Sequence, residues 1–123
     1  MTELWRDING YEGLYQVSNY GRVRSISVRN QYGEKQRIKI LKQHDNGRGY
    51  LKVSLSKNGK VKHSRVHRLV AEAFLFNPIG LLEINHINFN TYDNNVDNLE
   101  WISHEDNIKY SKNNGRYKNN RRW

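Results

Sequence analysis

The hydrophobic period of this chain changes at residue 66, and that change does most to limit the folds open to it. Upstream of it, apolar and polar residues alternate. In "QRIKILK", Ile38 and Ile40 fall on one side while Arg37 and Lys39 fall on the other. In "YLKVSLS", Leu51, Val53 and Leu55 point one way and Lys52 the other. Strand side chains alternate between faces, so this is the pattern of half-buried strands. From residue 66 onward, Val66, Leu69, Val70, Ala73 and Phe74 recur at the spacing of one helix face. The chain therefore reads as α+β, with a small antiparallel sheet followed by a helix.

Turn signals divide the strands. "YQVSNYGRVRSISV" reads as two strands, with Tyr15 and Val17 in the first, Val23 to Val28 in the second, and Asn19-Tyr20-Gly21 as the turn between them. "NQYGEK" is a second turn, and "HDNGRGY" is a glycine-rich loop. "KNGK" at 57–60 contains Asn-Gly, a strong hairpin signal, and "VKHSR" returns as the partner strand. Together these segments are expected to form one small sheet with a basic face. The helix should end at Asn77-Pro78, because the residue before a proline avoids the helical region. Beyond it come a short strand "LEINH", an asparagine-rich loop over 88–98 and a second strand "LEWIS". Ser103 with Asp106 three residues on resembles a capping box, and it predicts a helix from His104 to about Asn114. The expected division is a β module over 1–62, a strand–loop–strand–helix unit over 63–114, and a basic tail over 115–123 that stays flexible until it meets a partner.

Charge is sorted along this plan. The net charge is +9 over 123 residues, with pI near 9.9. Residues 1–62 carry 13 Lys and Arg against 5 Asp and Glu; residues 63–108 carry 2 against 7; residues 109–123 carry 6 against none. Two basic flanks around an acidic centre favour a polyanionic partner, for which double-stranded DNA is the expectation. The sheet cations Arg22, Arg24, Arg37, Lys39, Lys42, Arg48 and Lys52 are candidates for backbone contact. So are Lys112, Arg116, Lys118, Arg121 and Arg122 toward the end, with Tyr117 or Trp123 placed to stack on bases. There is no cysteine, which excludes a disulfide framework and a thiolate zinc site. His63 and His67 are four apart but lack the glutamate of a zinc helix, so no zinc is expected there. No apolar run is long enough to cross a membrane, and "MTELWRDING" lacks the form of a signal peptide. A cytoplasmic monomer is expected.

The residue that calls most for an explanation is His86, in "EINHINFN". Taken alone it is a surface loop residue, a metal ligand or a catalytic base. A strand–loop–strand–helix unit brings a strand end close to the first turn of a helix. That places Asn85 and Asn107 where they can share a cation with His86 beside them. Amide oxygens suit a hard ion such as Mg²⁺, which keeps its waters and needs few protein ligands.

At this point the chain resembles a known family. "VHRLVAEAF", "INH", "NLEW" and "EDN", in this order, resemble HNH endonucleases of the homing type, the ββα-metal nucleases. The match is to the His-Asn-Asn form, marked by His86, Asn98 and Asn107 at spacings of twelve and nine. "WRDINGYEGLYQVSNYGRVRS" resembles the nuclease-associated module that often precedes this domain. The resemblance spans roughly residues 3–110 and implies a division of labour. His86 is the general base that takes a proton from water, a role that suits an imidazole with an ordinary pKa near 6.5. Asn85 and Asn107 hold one divalent metal ion, Mg²⁺ or Mn²⁺, at the scissile phosphate. Asn98 braces the loop that carries His86, and Asn94 and Asn95 are plain loop residues. Arg68, near the active face, is a candidate phosphate contact, with a structural role equally open to it.

The pattern departs from the family at one place. Asn88-Phe89-Asn90 stands where the family usually has Asp-Gly-Asn. The glycine tolerates positive φ, and Asn88 or Asn90 is expected to absorb the turn instead. Asn85 is neutral where some members have Asp, which predicts weak metal affinity. The rival readings are a DNA-binding module of the same fold that has lost catalysis, and a small basic RNA-binding protein. With only a short tail after the unit, target reading is expected to be modest or supplied by a partner.

Overall fold

The computed structural model describes residues 2–26 and 38–113. Among them the order is β1 (Trp5–Asp7), β2 (Tyr15–Ser18), β3 (Val23–Ser25), β4 (Lys39–Ile40), β5 (His44–Asp45), β6 (Leu51–Lys57), β7 (Lys60–Arg65), α1 (Val66–Phe74), β8 (Glu83–His86), a 3-10 turn (Val96–Asn98), β9 (Leu99–Ile102) and α2 (His104–Asn113). The α+β class is as expected. Val28, Arg37, the "NQYGEK" turn and residues 114–123, including Arg116, Tyr117, Lys118, Arg121, Arg122 and Trp123, lie outside the described residues.

The one expected N-terminal sheet is in fact two: β1-β2-β3-β4 and β5-β6-β7, all pairs antiparallel. The division falls at residues 41–43, which turn inward. Leu41 packs against the core and its N–H donates to Val23 O at 2.8 Å, while Gln43 Nε2 donates to Gly21 O at 2.8 Å. These bonds tie the segment to the turn between β2 and β3, so β4 does not continue into β6. Lys39 and Ile40 are both exposed, and Ile38 with them, so the alternation over 37–40 did not mark a buried face. β1 was not expected, because three residues are too few to show a period; it pairs Trp5 with Ser18 and Asp7 with Gln16. The β6–β7 hairpin turns at Asn58 (φ 54°) and Gly59 (φ 76°), the two positive-φ positions of a type I′ turn.

α1 ends at Phe74, three residues before the expected stop. Leu75 is already extended, and its N–H closes the helix on Ala71 O. Asn77 instead folds the next turn: its Nδ2 donates to Leu81 O at 2.8 Å and its Oδ1 accepts from Leu81 N at 2.9 Å. Of the helix face seen in the sequence, Val66, Leu69 and Val70 are buried while Ala73 and Phe74 are half-buried, and His67 and Ala71 are buried beside them. Val66, Leu69 and Val70 meet Ile8, Val17, Val23, Val53, Leu55 and Leu99 in one core cluster. That core draws on both sides of residue 62, and β7 runs straight into α1.

Candidate active site

The β8–β9 hairpin carries the residues singled out in the sequence, paired Asn85 to Glu100 and His86 to Leu99. Successive strand side chains leave opposite faces, and the contacts follow that rule. Asn85, only 2% exposed, donates from Nδ2 to Glu100 Oε1 at 3.0 Å across the hairpin. Two residues earlier, Glu83 meets α2: its Oε1 accepts from Asn107 Nδ2 at 3.1 Å, and its Oε2 lies 2.6 Å from His104 Nδ1. α2 is placed there by its cap, Ser103 Oγ accepting from Asp106 N at 3.0 Å, while Asn107 N donates to Ser103 O at 2.9 Å. The structure thus brings Asn85 and Asn107 to neighbouring glutamates of one hairpin.

His86 turns toward α1. Its ring is 3% exposed, 5.1 Å from the His67 ring and 6.0 Å from that of Tyr50. Its Nε2 lies 2.8 Å from Asn94 Oδ1. With that oxygen accepting, His86 carries its proton on Nε2 and its basic lone pair on Nδ1. Asn94, expected to be a plain loop residue, is 4% exposed and is the partner of the candidate base. Polarity alone suggested a solvated loop, because an asparagine turned inward has no periodic signature. Its placement comes from the N-terminal module: Gly21 (φ +89°) sits so close that a Cβ there would lie 2.9 Å from Asn94 O, and Val96 N donates to Asn19 O at 2.8 Å.

The loop over 88–98 is held from within by Asn98. Its Oδ1 accepts from Asn88 N at 2.9 Å, its Nδ2 donates to Asp93 O at 2.9 Å, and its carbonyl accepts from Ile87 N at 2.8 Å. The side chain and backbone of Asn98 thus tie both ends of the loop next to His86. Asn95 is a cap rather than a free loop residue, its Oδ1 accepting from Asp97 N at 3.0 Å. The departure at 88–90 resolves in an unexpected way. Neither Asn88 nor Asn90 takes the left-handed turn; Phe89 does, at φ 66°. A bulky residue there costs about 1–2 kcal/mol. The Phe89 ring packs 5.4 Å from that of Tyr110 on α2, and Tyr110 donates from its hydroxyl to Ile87 O at 2.7 Å. Further along, Thr91 Oγ1 donates to Gly49 O and Tyr92 donates to Asp45, which anchors the loop beside β5.

His67 lies beside His86 and is buried at 6% exposure. Burial first, then the neighbouring His86, lowers its pKa to about 3. Its Nδ1 is buried with no hydrogen-bond partner among the described residues. His63 lies on β7 with its Nδ1 2.8 Å from Ser54 Oγ. Among the described residues no group of three or more His, Cys, Asp and Glu side chains could hold a metal ion.

The candidate DNA-contacting cations differ in exposure. Lys39, Lys42, Arg48 and Lys112 are exposed and Lys52 is half-buried. Arg22 is tied to Glu3 at 2.5 and 2.8 Å, and Arg24 to Gln16 Oε1 at 2.7 and 3.0 Å with its guanidinium 4.1 Å above the Trp5 ring. Arg68 donates to Leu82 O at 2.9 Å and lies 5.7 Å from the Trp101 ring. No described helix is long and apolar enough to cross a membrane.

The β8–β9 hairpin, with α2 closing on one face and His86 turned toward α1 on the other, belongs to a fold that matches that of HNH endonucleases, to which this chain is similar. Residues 3–56 match the NUMOD4 motif. The DNA endonuclease I-HmuI of Bacillus phage SP01 is 39% identical over 105 residues, covering 85% of this chain and 55% of that protein. An uncharacterised HNH endonuclease of Acanthamoeba polyphaga mimivirus is 36% identical over 118 residues, 92% of this chain and 27% of that protein. A solved structure of I-HmuI, an HNH homing endonuclease whose DNA binding and cleavage it describes, superposes with a TM-score of 0.76 at 38% identity, covering 92% of this chain and 60% of that one. The chain therefore spans between about a quarter and three fifths of the length of these relatives.

Proposed function

We propose that this chain is a metal-dependent DNA endonuclease unit that hydrolyses phosphodiester bonds. In this reading His86 is the general base, and one divalent cation, Mg²⁺ or Mn²⁺, is held by Asn85 and Asn107. The observation that supports it is the placement of His86, Asn85, Asn98 and Asn107 on one hairpin and the helix that follows it. His86 is fixed by Asn94, its loop is held shut by Asn98, and Asn107 reaches Glu83 on the strand of Asn85. The Asn94 bond sets the tautomer, so that Nδ1 would receive the proton of the attacking water. Asn98 supports that ring through the backbone of residues 87 and 88 rather than by touching substrate.

The donor set fits a hard cation. Each amide spends its nitrogen on a glutamate, leaving Oδ1 as the end suited to Mg²⁺ or Mn²⁺. A cation bound there supplies charge to the scissile phosphate and the leaving 3′ oxygen. Double-stranded DNA is the proposed substrate, met by the exposed cations Lys39, Lys42, Arg48 and Lys112 and supported by the net charge of +9. Arg22, Arg24 and Arg68 already have partners within the chain, so they would contribute less.

One observation favours a second reading, a DNA-binding module of the same fold without cleavage: only 3% of His86 is exposed. Nicking of supercoiled plasmid with Mg²⁺, with Mn²⁺ and with EDTA separates the two. Metal-dependent nicking is the expected result. Tight DNA binding without nicking under any of these conditions would establish the second reading, and nicking that survives EDTA would remove the metal from the account.

A further inference from the structure

Asn85 and Asn107 are unusual as a ligand pair because both are neutral and both have two different ends. An asparagine can turn either its oxygen or its NH₂ toward a site, and only the oxygen binds a cation. Here two glutamates make that choice. Asn85 faces Glu100 across the hairpin at 3.0 Å, and Asn107 faces Glu83 from α2 at 3.1 Å. A carboxylate only accepts, so the amide end turned toward it is the NH₂ end; the chemistry of the pair fixes the orientation. Glu83 is in turn steadied on its other oxygen by His104 Nδ1 at 2.6 Å. Asn85 is 2% exposed, so its amide has little room to rotate out of this arrangement.

We propose that Glu83 and Glu100 are positioning residues of the metal site, each holding the NH₂ of one asparagine so that its Oδ1 is offered to the cation. This rests on Asn85 and Asn107 being the ligands, as read above. Partners that orient ligands are typically worth about 10–100-fold in metal affinity. Their effect should be largest where the ligand is an amide with two different ends rather than a symmetric carboxylate.

The test is Mn²⁺ binding to the full chain, followed by the paramagnetic resonance signal of free Mn²⁺, with circular dichroism confirming the fold of each variant. Glu83→Leu and Glu100→Leu are expected to weaken binding by about 10–100-fold. Glu83→Gln and Glu100→Gln, whose amide oxygen still accepts, should stay within about threefold of wild type. In an Asn85→Ala background, Glu100→Leu should add nothing, because it acts through Asn85. If a leucine variant fails to fold, alanine at the same position is read instead. Unchanged affinity in the leucine variants, with Asn85→Ala impaired, would overturn the positioning role and leave the ligand reading standing. Equal losses for Gln and Leu, or a further loss on top of Asn85→Ala, would mean that the glutamates act as ligands or by charge, which also overturns it. Normal binding by both Asn85→Ala and Asn107→Ala, or no binding by the folded wild type, would sink the ligand assignment and this inference with it.

Discussion

Two residues beside the candidate base are in costly states, and each gives a measurable consequence. His67 is buried and its pKa is lowered to about 3, against about 6.5 in an unfolded chain. Between those values the unfolded chain binds a proton that the folded chain refuses. Stability is therefore intact above pH 6.5 and falls as the pH drops from 6.5 toward 3, by up to about 1.4 kcal/mol per pH unit. His67→Phe keeps a ring and removes the titration. Between pH 7 and pH 4.5, urea midpoints should show the wild type losing about 2–3 kcal/mol more than this variant; parallel losses would mean that His67 does not resist protonation. Phe89 holds a left-handed backbone at φ 66° and packs on Tyr110. Glycine there would release about 1–2 kcal/mol of backbone strain while losing the ring contact, worth roughly as much. Alanine would keep the strain and lose the ring. Phe89→Gly should thus be nearly neutral and Phe89→Ala about 1–2 kcal/mol less stable, as read from thermal or urea midpoints. The reverse order would place the cost elsewhere than in φ.

At the scale of elements, the elements with a clear period or a clear turn were legible in the sequence and the residue-level contacts mostly were not. α1 and the β6–β7 hairpin were readable because five apolar residues on a helix face and an Asn-Gly turn are strong local signals. The hairpin and helix carrying His86, Asn98 and Asn107 were readable from spacing together with the family resemblance. The split of the N-terminal sheet was not, since it depends on Leu41 and Gln43 bonding to residues some twenty positions away. Nor was the role of Asn94, which depends on a histidine eight residues earlier and a glycine in another sheet. That glycine makes a prediction. A methyl group at Gly21 would meet the Asn94 backbone at 2.9 Å while also enforcing an unfavourable φ of +89°. Gly21→Ala should cost more than about 1 kcal/mol in stability and lower DNA cleavage beyond what the loss of folded protein explains. Cleavage normalised to folded protein that matches wild type would show that Asn94 does not need this support.

Across the molecule, the described residues before position 62 and those after it share one core. Val17, Val23, Val53 and Leu55 from the first pack with Val66, Leu69, Val70 and Leu99 from the second. Burying such side chains contributes roughly 1.5–3 kcal/mol each, so removing one side of the cluster removes about as much as a small domain's net stability. Residues 63–113 alone are accordingly expected to be unfolded by circular dichroism, whereas the full chain melts cooperatively; a folded fragment would show that the shared core is dispensable.

His86 performing chemistry, rather than merely filling the packing, is the proposal on which the other roles depend. It is tested most directly by measuring DNA cleavage and DNA binding on the same sample of His86→Ala, in Mg²⁺ and in Mn²⁺. Cleavage is expected to fall by about 10²-fold or more, the usual contribution of a positioned general base, while DNA affinity and the far-ultraviolet spectrum stay close to wild type. Cleavage by folded His86→Ala at the wild-type rate would contradict it.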